Sequence, residues 1–235
     1  MYSKLIEARI GLCISEKRVV SPMLKQLTRS RLSLFAVAAL AIGTLSAPGF
    51  AADEPATVGK TAPDFTLQDT NGKAHELSKL RGKFVVLEWF NDGCPFVKKH
   101  YNSNNMQKLQ KEYTGKGVVW YSINSSAASK QGNHTAAEYN KILSDWKAEP
   151  TALLLDHDGK VGHLYGAKTT PDMYVIDKTG KLVYAGAIDD TPSVDPSDIP
   201  KSKNYVREAL DEALQGKTVK VATTKSYGCS VKYAN

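Results

Sequence analysis

The chain has 235 residues, 42% of them hydrophobic and 23% charged, enough for one ordinary domain plus a targeting segment and typical of a soluble globular protein. Its formal charge of +7 is concentrated at the start: residues 1–51 hold seven of the 31 Lys/Arg and two of the 24 Asp/Glu, so the remainder carries only +2. So small an excess gives the main body no nucleic-acid or membrane-surface signal.

From Met23 the chain reads MLKQLTRSRLSLFAVAALAIGTLSAPGFA, with a basic start (Lys25, Arg29, Arg31), an apolar middle and small residues at Gly49 and Ala51. This is the layout of a secretory signal peptide cut after Ala51. The apolar run falls short of the ~20 residues a span needs, so no stable membrane insertion is expected after cleavage, and a periplasmic or otherwise exported protein is. Met23 opens the pattern better than Met1. Cleavage would remove Cys13 and leave Cys94 and Cys229, and two cysteines in an oxidising compartment can pair. The expected division is an N-terminal extension and signal over 1–51 (mature start near 52), a main domain over 58–218 and a tail over 219–235 that carries Cys229.

After a polar linker to Lys60, PDFTLQDTNGKAHELSKLRG predicts a hairpin turning at Asn71-Gly72 and a short helical turn. KFVVLEWF, 83–90, is a nearly continuous apolar strand. A helix is predicted from Cys94 to about Tyr113, with Pro95 at its first position and Gly115 and Gly117 marking its end. Next come a buried strand at 118–124, an amphipathic helix over 134–146, a strand TALLL, a turn at Asp158-Gly159 and a short helix to about Tyr165. Strands DMYVID and KLVYAGAI form a hairpin through Lys178-Thr179-Gly180. A Pro/Asp-rich loop over 189–200 leads to a helix over 204–214. The alternation predicts an α/β fold, a central mixed β-sheet with helices on both faces.

Cys94 carries the chemistry. A helix N-terminus favours an anion, and Lys98, one turn on, adds positive charge; both favour the reactive thiolate. Glu88 is an acid inside an apolar strand, so it either keeps its proton, has partners, or sits at a strand end reaching solvent. His100 lies six residues along the helix from Cys94, roughly 120° around it, so the two do not share a face, and no metal site is expected. Asp189 and Asp190 read as turn residues. DHDG at 156–159 reads as a turn and lacks the twelve-residue calcium-loop pattern.

CPFVKKHY, TTPDMYVID, YAGAIDD and GCSVKY, in this order from about Val58 to Tyr233, resemble the thioredoxin-like superfamily, in particular the peroxiredoxin-like subgroup of its redoxin, or AhpC/TSA, branch. The resemblance implies a thioredoxin-like fold. It implies Cys94 as the nucleophile and a cis proline at Pro171 shaping a substrate groove, with Pro95, Lys98 and Thr170 beside it. It gives Glu88 the place of the buried acid that moves a proton in thioredoxin. It also supports Cys229 as the resolving partner of Cys94, against the alternative of an exposed, unpaired tail cysteine.

Three functions fit. Cys94 attacks a disulfide and Cys229 resolves the mixed disulfide; or Cys94 attacks a hydroperoxide and its sulfenic acid condenses with Cys229; or the domain binds partners without turnover. Peroxiredoxins resemble one another in Pro-x-x-x-Thr-x-x-Cys and an arginine beside the thiolate, whereas this chain has Leu87 and Asn91 at the first two places and only Arg81 and Arg207 after residue 51. The expected partner is a thiol/disulfide electron donor, a client protein or a peroxide, with no cofactor.

Overall fold

The computed structural model describes residues 54–234; the extension and signal expected over 1–51 lie outside the described residues. The elements, in order, are β1 (Thr66–Asp69), β2 (Ala74–Glu76), a 3-10 turn (Leu77–Leu80), β3 (Val85–Trp89), α1 (Pro95–Asn102), α2 (Asn105–Gly115), β4 (Val119–Asn124), α3 (Ala136–Asp145), β5 (Ala152–Leu155), α4 (Lys160–Tyr165), β6 (Thr169–Thr170), β7 (Met173–Ile176), β8 (Leu182–Gly186), a second 3-10 turn (Pro196–Lys201), α5 (Tyr205–Leu214) and β9 (Cys229–Ser230). Seven strands form one sheet in the order β2-β1-β5-β4-β3-β7-β8. β3, β4 and β5 run parallel, and β1, β2, β7 and β8 close the flanks by antiparallel pairing. The expected mixed sheet is present.

Alternation along β3 decides what faces what. Val85, Leu87 and Trp89 point into the core under α4 and the first 3-10 turn, while Val86 and Phe90 point into the larger core under α1, α2, α3 and α5. Glu88 shares that second face. Asp156, in the turn before α4, caps the helix by accepting from the Val161 and Gly162 amides at 3.1 and 2.8 Å. Thr135 and Glu138 form a reciprocal capping box at the start of α3.

One expectation fails. The helix predicted from Cys94 to about Tyr113 is two helices, broken at Asn104, which is left-handed at φ 57. The run Asn102-Ser103-Asn104-Asn105 explains the break, since asparagine tolerates this conformation and short polar side chains compete for backbone hydrogen bonds.

The tail is bound along its length. Thr224 Oγ1 accepts from the Ala187 amide at 2.9 Å, the Val231 amide donates to Lys168 O at 3.0 Å, the Ala127 amide donates to Lys232 O at 2.8 Å, and Tyr233 stacks on His163 with centroids 4.0 Å apart. Between these anchors β9 pairs with β6 in a separate two-stranded ladder.

Candidate active site

Cys94 is the N-cap of α1, in extended backbone, with Pro95 at the first helical position where a missing N–H costs nothing. Its side chain is fully buried, and Sγ donates to the Thr170 carbonyl at 3.0 Å. The Thr170-Pro171 bond is cis. In the β6–β9 ladder Thr170 lies directly opposite Cys229, so the tail brings the second cysteine beside the first, near enough for each thiol to shift the other's acidity. Both are free thiols. Gly228 makes this approach possible: at φ +138, a Cβ there would stand 2.2 Å from Thr170 O.

Burial pushes the Cys94 thiol up, but donation from the Cys229 thiol, the Thr170 hydroxyl and the Val97 amide outweighs it and holds Cys94 below the ordinary thiol value. Cys229 moves the other way, pushed up to about 11 by burial and by its bond to Cys94. The Thr170 hydroxyl is 2% exposed and has no partner while Sγ is protonated, so it is free to turn toward the sulfur once that ionises. The positive charge expected of Lys98 is not among these causes. Lys98 points to solvent, and only its amide engages Cys94, donating to the carbonyl at 2.9 Å.

The buried cation of this helix is Lys99. Its Nζ donates to Thr191 O at 2.8 Å and stands 3.7 Å from Asp189 Oδ2, both side chains at most 1% exposed. Asp189 also accepts from the Tyr227 hydroxyl, two residues before Cys229, and Tyr227 packs edge-on against Phe96 at 5.7 Å. The network thus ties the helix of Cys94, the loop after β8 and the tail together. Asp189 is therefore more than a turn residue. His100 turns Nε2 toward the same carboxylate, at 3.8 Å, and pairs its Nδ1 with Asn105 at 2.9 Å.

Glu88 does not reach solvent. It is fully buried and accepts from Tyr101 Oη and Trp120 Nε1 at 2.8 Å, Ser122 Oγ at 3.0 Å and Gln110 Nε2 at 3.3 Å. Burial raises its pKa against the pull of these four donors. Asp172, following the cis proline, accepts from the Lys168 amide at 3.1 Å and from Ser226 Oγ of the tail at 3.3 Å, and burial raises it to about 6.

The peroxiredoxin-type donors are absent from this arrangement. Asn91 accepts from the Gly93 amide and donates to Gln131 O, shaping the loop before Cys94. Arg81 donates to Thr179 O and Arg207 to Glu112. Among the described residues no cluster of three or more His, Cys, Asp or Glu is arranged to hold a metal.

Sequence reasoning missed Lys99, Tyr227 and Asp172. Lys98-Lys99 reads as a solvated pair, and nothing in the pattern says which lysine turns inward. Asp172 carried a usable signal, since it lies inside TTPDMYVID next to the proline.

A mixed sheet of this order with a Cys-Pro helix facing a cis proline defines a thiol-dependent oxidoreductase of thioredoxin-like fold. The thiol-disulfide oxidoreductase ResA of Bacillus subtilis is 33% identical over 134 residues, covering 57% of this chain and 69% of its own length. Two solved structures share the fold at TM-score 0.64. A hypothetical protein of Sinorhizobium meliloti is 28% identical, covering 76% of this chain and 95% of that one; an uncharacterized conserved protein of Geobacillus kaustophilus is 30% identical, covering 76% and 93%. The chain belongs to the AhpC/TSA family, whose pattern matches residues 58–185.

Proposed function

We propose that Cys94 and Cys229 form the working dithiol of an exported thiol-disulfide oxidoreductase. Cys94 is the nucleophile and Cys229 resolves the mixed disulfide it forms. The observation that carries this is the seating of Cys229 directly opposite Thr170, whose carbonyl accepts from the buried sulfur of Cys94 at 3.0 Å. A cysteine held by the ladder beside its partner closes a disulfide with little chain entropy left to lose. Cys94 has no exposed surface, so a protein disulfide reaches it only when the tail lifts, past Pro95 and Lys98 on the open side and Thr170 and Pro171 on the other. Glu88 joins the set as the buried acid that moves a proton during exchange, its raised pKa keeping that proton available. Export rests on the signal-like stretch before Ala52. A thiol-disulfide oxidoreductase among the relatives supports the same chemistry.

Hydroperoxide reduction is the second reading, favoured by family membership and by the closed site, which a small oxidant enters more easily than a protein does. Turnover of a model disulfide such as insulin with dithiothreitol, beside the rate with hydrogen peroxide, separates the two. Disulfide turnover is expected to vanish in Cys94→Ser and to stall at a trapped mixed disulfide in Cys229→Ser. Glu88→Gln should slow it and flatten its pH dependence; a full-rate Glu88→Gln removes Glu88 from the set. Peroxide consumption far above that of free cysteine, without disulfide turnover, would replace the first reading by the second.

A further inference from the structure

Resting on that dithiol reading, we infer that Cys229, and not Cys94, is the sulfur attacked by the external donor thiol when the Cys94–Cys229 disulfide is reduced. The enzyme then carries two different mixed disulfides in one cycle: with the oxidised client on Cys94, and with the electron donor on Cys229.

Access decides first. Cys94 is wholly enclosed, whereas Cys229 is half-buried and its neighbour Ser230 is exposed. The backbone edge beside Cys94 is already occupied, because Thr170 is paired with Cys229 and its carbonyl lies against Gly228. On one side of Cys229 the tail is held by Tyr227, bonded to Asp189 and packed on Phe96. On the other, it is held by the Val231 amide on Lys168 O, the Ala127 amide on Lys232 O and Tyr233 Oη on Ala167 O at 2.8 Å. Exposing Cys94 means breaking these together; meeting Cys229 where it stands breaks none of them.

The chemistry favours the same sulfur. In exchange the attacked sulfur keeps the incoming thiol and the other leaves, faster when its thiol is more acidic. Cys94 is the more acidic of the pair, so attack on Cys229 expels the better leaving group. The Lys232 ammonium adds an attraction for an approaching anion, since it is the positive charge acting on Cys229. The donor thiolate forms a bond to Cys229 Sγ as the Cys94–Cys229 bond breaks and its electron pair departs on Cys94. A second donor thiolate then attacks the donor sulfur of the mixed disulfide, releasing the donor disulfide and Cys229, which takes a proton. Two electrons pass from two donor thiols to one protein disulfide.

The test treats oxidised protein with a limiting amount of reduced glutathione, quenches in acid within milliseconds, blocks free thiols with a maleimide and maps the glutathione adduct by tryptic digestion. Cys94 falls in peptide 84–98 and Cys229 in peptide 226–232. The expected result is glutathione on 226–232 and maleimide on 84–98, by about tenfold or more over the reverse pattern. Equal or greater glutathionylation of 84–98 overturns the inference while leaving the dithiol reading intact. If oxidation yields no disulfide joining the two peptides, the dithiol reading itself fails and this inference with it.

Discussion

The Asp172 carboxyl, next to the cis proline and bonded to the tail through Ser226, titrates near 6, while His100, buried beside Lys99 and Asp189, is driven by burial and the Lys99 charge down to about 3. Their effects on stability oppose each other over one pH range. Folded Asp172 binds its proton more tightly than the unfolded chain does, so its contribution is present at acid pH and is lost as pH rises from about 4 to about 6. Folded His100 binds its proton less tightly, so its contribution is full above about 6.5 and is lost as pH falls. Each amounts to about 3 kcal/mol at most across the window. These two contributions therefore offset each other between pH 4 and 6.5, and the net pH dependence of the wild type there is set by the raised Glu88 and Asp156 and the lowered His157. Relative to wild type, Asp172→Asn should gain in denaturant midpoint as pH rises from about 4 to about 6; a difference between the two proteins that does not change with pH would remove Asp172 from this account. Neither titration was visible beforehand, because pattern reveals residue type and depends on the fold for burial. Glu88 was legible in part: an acid within VVLEWF poses a choice between burial with partners and a strand end reaching solvent, and the structure gives burial with four donors.

At the scale of elements, the sheet strands and most helices were legible because their signals are local. Asn71-Gly72 turns a hairpin, Pro95 opens α1, and Gly115 is the last residue of α2 with Gly117 just beyond it. Asn104 is a local signal of the same kind, and it splits the helix. Strands β6 and β9, two residues each, were not legible: so short a pairing leaves no periodicity, and its register comes from the anchors around it. Those anchors give a graded expectation. Tyr227→Phe keeps the ring against Phe96 but removes the donor to Asp189, leaving that buried carboxylate to Lys99 and to the Thr191 amide, which donates to it at 3.0 Å. Disulfide closure between Cys94 and Cys229 should slow several-fold, and the Cys94 thiol pKa, read by thiolate absorbance, should rise. Gly228→Ala drives a methyl into Thr170 O and should do more of both. An unchanged thiol pKa in the alanine variant would mean that the tail does not set the acidity of Cys94.

At the scale of the molecule, β3 delivers Glu88 to the α1–α2 face and then runs into Cys94, β6 brings the cis proline from across the fold, and the C-terminal tail closes the gap between them. On the proposed reading, the partner that a Cys-x-x-Cys motif would place three residues on is Cys229, 135 positions further along the chain. On that reading the acidity, access and resolution of Cys94 would all depend on one docked segment. The most direct test oxidises the reduced protein with one equivalent of a disulfide oxidant, blocks remaining thiols and digests it without reductant. The expected result is peptide 84–98 joined to 226–232 within one chain, with both thiols lost together, each single Cys→Ser variant giving no such link. Recovery of both cysteines as free thiols, or as two separate adducts with no link, would contradict the pairing of Cys94 with Cys229.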